Sequence, residues 1–192
     1  MENQTPQFEA LAVQCVGGVA GDMLLGAFLG AGVDRKTIES CFARLKLEAL
    51  SLKVEPVEIN QESALWVQSI PGGNSVKSSS AHGVSMNRVF ETLERLELSP
   101  AASEYATRIF TILGNAESIA HQVHFDSVHL HEVGELDSIL DVAGVAIAYE
   151  SLGSPKLVSA ALPSGKGTVQ TSHGPLECPV PAVVAVADEF KI

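Results

Sequence analysis

The sequence predicts an α/β domain, with helices packed over a mixed sheet, and α+β as the alternative. Three observations carry this. Apolar runs of strand length alternate with stretches of helical period at both ends of the chain. The middle is helical over a long span. Glycine, proline and asparagine punctuate the junctions.

The elements follow in order. Leu11 to Val16 is apolar throughout, which predicts a central strand. Gly17, Gly18 and Gly21 then make a turn, and Met23 to Leu29 forms a helix closed by Gly30 or Gly32. Strand, glycine turn, helix is a layout that presents backbone N–H groups to an anion. It is equally the layout of a tight turn with Asp22 as a helix cap. The spacing is neither a Walker loop nor a dinucleotide fingerprint. Asp22 opposes a bare phosphate but suits one that carries a metal.

Asp34 caps a helix to about Leu47, with Ile38, Phe42 and Leu45 on one stripe. Two strands, Leu50 to Ile59 and Ser63 to Ile70, join at Asn60-Gln61. Residues 71–85 are Gly/Ser-rich and aperiodic, which predicts a mobile surface loop with His82 solvated. A short helix starts near Met86. Pro100 opens a longer one, with Tyr105, Ile109, Ile112, Leu113, Ala116, Ala120 and Val123 at helical spacing. His121 and His124 near its end are given a structural or surface role, where a cation suits the helix dipole.

Val128 to Asp141, VHLHEVGELDSILD, concentrates the chemistry. Val128 and Leu130 alternate with His129 and His131, the period of a short strand. Both imidazoles then point one way, with Cα atoms roughly 6.8 Å apart, close enough to share a metal ion. Gly134 breaks the strand. From about Asp137 a buried helix runs to Leu152, and Asp137 and Asp141 at i and i+4 share one face. Asp137 is also well placed as an N-cap, and the histidines could be a solvated face. The joint pattern, polar groups gathered where strand meets helix, points to a metal or anion site.

Leu157 to Leu162 is a further strand. Ser164 to Thr168 is a hairpin turn, or a loop aiming Lys166 at an anion, and Val169 to Thr171 begins the return strand. The proline-rich segment around His173 is extended and not a central strand. A last helix starts at Pro181.

Composition bounds the function. At 192 residues and 46% hydrophobic the chain holds its own core. A net charge of −11 makes nucleic acid an unsuitable partner. Three cysteines without CxxC spacing fit no zinc knuckle or disulfide framework and suit a reducing cytoplasm. No run is long enough to span a membrane, and the N-terminus lacks the layout of a signal peptide.

Three blocks resemble one family: GGVAGDMLLGAFLGAGV, VHLHEVGELDSILDVAGVAIAYESLG and LPSGKGTVQTSHGPLECPVPA, in matching order and spacing. The family is the LarC-type nickel-insertion proteins. The resemblance implies insertion of nickel into pyridinium-3,5-bisthiocarboxylic acid mononucleotide, giving the nickel pincer cofactor. It implies a lyase-type chelatase that uses CTP with Mn²⁺ or Mg²⁺, and a C-terminal domain associated with CTP. The sequence departs from the pattern at Gln14, where the family has Asp, and at Gly17 and Ala20, where it has serines. A serine-rich loop around His82 replaces a histidine tract. The chain ends at Ile192, so residues 1–192 are expected to be one N-terminal domain. CTP binding is then expected only with the C-terminal domain, which a separate partner chain could carry.

Function is expected where the glycine turn and the His/Asp block converge beyond the strand ends. His129, His131 and His173 would supply nitrogen to the metal. Glu132, Asp137, Asp141 and Asp22 would supply oxygen or orient the imidazoles. Gly17, Gly18, Gly21, Asp22 and Lys166 would face the precursor. Ligand type alone gives only a divalent metal; nickel comes from the resemblance. Two rival readings are a metal-dependent phosphoester hydrolase and a non-catalytic metal-binding module or degenerate paralogue.

Overall fold

Helix α5, Leu136–Ser151, is the axis of the computed structural model, which describes residues 5–15, 17–70, 83–131, 133–171 and 173–192. Ile139, Leu140, Ala143, Gly144, Ala146, Ile147 and Ala148 of α5 are buried. A helix apolar on nearly every side has no solvent face to offer, so other elements must cover it. Helix α1, Gly21–Gly30, packs on one flank, and α4, Pro100–His121, on another. Between them α2, Arg35–Phe42, and α3, Met86–Arg95, close the core with Ile38, Phe42, Val89 and Leu93.

The caps explain the helix starts. Asp34 accepts a hydrogen bond from Lys36 N at 3.0 Å. Ser85 and Ser99 do the same for Arg88 N and Ala102 N. Each satisfies a backbone N–H that the first turn leaves without a partner. Two expected caps are not found. Helix α1 begins at Gly21 with Ala20 as its N-cap, and α5 begins at Leu136 with Glu135. Asp22 and Asp137 each fall in the first helical turn, where their charges face the positive end of the dipole.

The α/β class holds, but the strands form pairs. Among the described residues there are four two-stranded sheets. Strand β1, Ala10–Val13, pairs in parallel with β6, Lys156–Ser159. Strands β2, Ser51–Ile59, and β3, Glu62–Ile70, form an antiparallel hairpin. Its two-residue turn is Asn60-Gln61, both at positive φ (53° and 67°), the twist-matched turn of a tight hairpin. Strand β4, Val84–Ser85, pairs with β5, His129–Leu130. Strand β7, Thr168–Thr171, pairs with β8, Gly174–Glu177. Helix α6, Pro181–Phe190, packs on α4.

Several expectations need correcting. The first strand is not central: among the described residues it has one neighbour, and alternate residues are exposed; Val16 of the expected strand lies outside the described residues. Its partner β6 leaves Leu157 and Val158 43% and 49% exposed, so apolarity there does not mean burial. The strand beginning at Thr168 does not return along β6; it pairs antiparallel with β8, Thr171 opposite Gly174. Of the expected loop 71–85, residues 71–82, His82 included, lie outside the described residues. Val84 and Ser85 are a strand instead, held by Leu130 and His129. The buried face of α4 is Ala102, Ala106, Phe110, Gly114 and Ala116, rotated from the expected stripe. Four of the five are small, and Phe110 is the one large side chain among them.

Close approach also fixes α1 against the hairpin. A Cβ at Gly26 would stand 2.6 Å from the Leu65 carbonyl oxygen, so only glycine lets the helix lie this near β3.

Candidate functional site

Four histidines converge on one cavity of about 280 Å³. His129 and His131 come from β5 and the bend after it. His173 comes from the β7–β8 turn, and His121 is the last residue of α4. Val123, Ser127 and Val128 complete the lining. The His131 and His173 ring centroids are 4.6 Å apart, edge to face. Those of His121 and His173 are 4.8 Å apart, tilted by 51°. His173 thus touches both neighbours.

Local structure explains the placement. Leu130, 1% exposed, is the inward residue of β5, and period two turns its neighbours His129 and His131 to the other side. The β4–β5 pairing holds this segment in register. The β7–β8 ladder sets His173 at its turn, where Thr171 Oγ1 accepts from His173 N at 3.1 Å.

The hydrogen bonds also fix chemistry. His129 Nδ1 lies 3.1 Å from the Ser127 carbonyl oxygen, which can only accept. In the neutral ring that contact places the proton on Nδ1 and leaves the lone pair on Nε2. His121 Nε2 is 3.3 Å from Glu117 Oε2, one helical turn earlier. The rings stand against one another rather than around a point. Among the described residues no three His, Cys, Asp or Glu side chains are arranged to hold a metal as they stand.

The carboxylates form a second group. Asp141 lies opposite Gly21: a Cβ there would come 3.0 Å from Asp141 Cβ, so the start of α1 fits against α5 because residue 21 has no side chain. Ser69, 5% exposed, donates a hydrogen bond to Asp141 Oδ1 at 2.7 Å. Burial pushes the Asp141 carboxyl from 3.8 up to about 6. The Ser69 hydrogen bond pulls the other way, and the charges of Asp22 and Asp137 add to the rise. Asp22, Asp137 and Asp141 therefore share one electrostatic neighbourhood at the starts of α1 and α5.

The two groups do not merge as the sequence suggests. Among the described residues no carboxylate lines the histidine cavity, and no histidine is among the groups that act on Asp141. Glu132 lies outside the described residues. The glycine turn faces the loop that carries Lys166: a Cβ at Gly18 would meet Pro163 Cγ at 3.9 Å. Gly17 and Lys166 are both exposed. His121 is the site residue that the sequence reading assigned elsewhere. The signal for it is Glu117 four residues before a histidine at a helix end, a pairing that also serves helix stability alone.

The profile of the family described as "Nickel insertion protein" matches residues 11–192. A relative in Desulfotalea psychrophila, also named for nickel insertion, is 37% identical over 91% of this chain and 43% of its own length. The pyridinium-3,5-bisthiocarboxylic acid mononucleotide nickel insertion protein of Staphylococcus epidermidis is 34% identical over 96% of this chain and 45% of its own. The protein of that name in Geobacillus kaustophilus is 32% identical over 92% and 44%. The chain thus spans less than half the length of these relatives. No solved structure matches it.

Proposed function

The chain belongs to the nickel insertion protein family, and on that premise we propose that it takes part in inserting nickel into pyridinium-3,5-bisthiocarboxylic acid mononucleotide. In this reading nickel is cargo, and the chain holds it before it passes to the precursor. The observation that carries the reading is the convergence of four of the six histidines on one cavity. Imidazole nitrogen suits nickel, and a ligand set of neutral nitrogens can also release the ion to a sulfur ligand.

His129, His131 and His173 hold the ion. The glycine turn, Gly17, Gly18 and Gly21, with Lys166 on the facing loop, receives the precursor's phosphate. Asp22, Asp137 and Asp141 lie between helix starts, where they draw in cations and oppose bare anions. The precursor's negative groups are then best accepted with a metal between them and these carboxylates. CTP with Mn²⁺ or Mg²⁺ belongs to the part of the relatives' length that this chain does not span. Three free thiols, Cys15, Cys41 and Cys178, fit a reducing cytoplasm. No described helix is long and apolar enough to cross a membrane.

Nickel titration calorimetry tests the reading, with and without the precursor. The native chain should bind one Ni²⁺, and His131→Ala and His173→Ala should each weaken it at least tenfold. Native affinity in both variants would remove the cavity from the reaction.

A further inference from the structure

We propose that His121 is a further nickel ligand and that Glu117 is its positioning residue, so that the cavity is a four-imidazole site selecting late first-row divalent ions. This rests on the nickel reading above and adds a ligand and a selectivity to it.

Three observations carry it. First, His121 arrives from a third part of the chain. It joins the cavity through ring contact with His173 at 4.8 Å, as closely as His131 does at 4.6 Å. Second, a carboxylate already attends it. A metal-bound imidazole characteristically gives its other ring N–H to a carboxylate, which sets the tautomer and raises the basicity of the ligating nitrogen. Glu117 Oε2, 3.3 Å from Nε2, occupies that position and leaves Nδ1 for the ion. His129 is prepared in the mirrored sense, with Nδ1 facing the Ser127 carbonyl and Nε2 left open. Third, His121 ends α4, whose last backbone carbonyls place partial negative charge beside the cavity.

The lining decides the selectivity. Apart from four histidines it offers Val123, Ser127 and Val128, and no described carboxylate. Mg²⁺ and Mn²⁺ favour oxygen ligands and gain little from imidazole. Ni²⁺, Cu²⁺ and Zn²⁺ gain much. A chain with a carboxylate group elsewhere can thus keep its hard and borderline cations apart. Gathering the nitrogens round one ion requires the imidazoles to turn about χ2, a torsion with a broad minimum.

A purely structural role for the pair is the competing account. Glu117 and His121 at i and i+4 near a helix end would stabilise α4 slightly with no metal present. The experiment separates the two. Nickel is titrated into the full chain and into His121→Ala, His121→Gln, Glu117→Gln, His131→Ala and His124→Ala, with the melting temperature and the visible bands of bound nickel recorded for each. His124 does not line the cavity and serves as the control.

We expect at least tenfold weaker nickel binding in both His121 variants. Glu117→Gln should show several-fold weakening with shifted nickel bands. His124→Ala should bind as the native chain does. Equimolar Mn²⁺ should displace no nickel. Native affinity in His121→Ala and His121→Gln, with His131→Ala weakened, would make His121 a helix-end residue and leave the nickel reading standing. Native affinity in His131→Ala as well would bring down both. Displacement by equimolar Mn²⁺ would overturn the selectivity, and unshifted bands in Glu117→Gln would overturn its positioning role.

Discussion

At the scale of single residues, Asp141 has the most distinctive chemistry outside the histidines. Its carboxyl is raised to about 6 chiefly by burial, while the unfolded chain holds it at 3.8. The native state therefore binds this proton more tightly than the unfolded state does. The resulting stability is complete below pH 3.8 and is lost as pH rises through about 6. Asp141→Asn keeps an acceptor for Ser69 and removes the charge. At pH 8 we expect it to stabilise the fold by about 1 kcal/mol, discounted because the group is partly open to solvent, or roughly 2–4 °C in melting temperature. At pH 4 the difference should vanish. Melting curves at the two pH values check this, and an equal effect at both would show that burial does not govern the group.

At the scale of elements, the approach of α1 to the β2–β3 hairpin sets where the start of α1 meets α5. Gly26→Ala puts a methyl into the Leu65 carbonyl, a backbone atom that cannot swing away. Overpacking of this kind costs about 1–3 kcal/mol. Gly30→Ala in the same helix meets nothing within 4 Å, and should be neutral or stabilising by about 0.5 kcal/mol. Urea denaturation of the two variants gives the comparison; equal midpoints would contradict the packing account. In α5, Leu140 is fully buried, so Leu140→Ala should cost about 2–5 kcal/mol. A loss under 1 kcal/mol in the same assay would mean that α5 is not the axis of the core.

At the scale of the whole molecule, net charge decides which anions the chain can host. A chain at −11, with Lys166 as the one basic group in its glycine-turn blocks, is a poor host for a nucleoside triphosphate. We expect no CTP binding at micromolar concentration by equilibrium dialysis with Mn²⁺ present, and binding once the remainder of a relative's length is supplied. Micromolar binding to these 192 residues would move the nucleotide to the glycine turn. The chain spans 43–45% of the length of these relatives.

Much of this architecture was legible in the sequence because it depends on neighbours along the chain. Aspartate before a first turn, proline at a helix start, an apolar stripe and two turn residues between alternating strands act over a few residues, and α2, the β2–β3 hairpin, α3, α4 and α6 lie close to where those signals put them. The blocks that carry the family resemblance were likewise visible, since a motif is local by construction. What only the tertiary structure decided is which distant groups meet. Nothing near His121 says that the β7–β8 turn brings His173 against it, 52 residues later in the chain. Period two put His129 and His131 on one side, but could not say that Asp141 of the same block would face Ser69 and Gly21 instead. Nor could an apolar run disclose that β1 pairs with β6 at the other end of the chain. Local signals fix backbone shape, whereas partners across the fold are chosen by the packing of α5, which no short window of sequence contains.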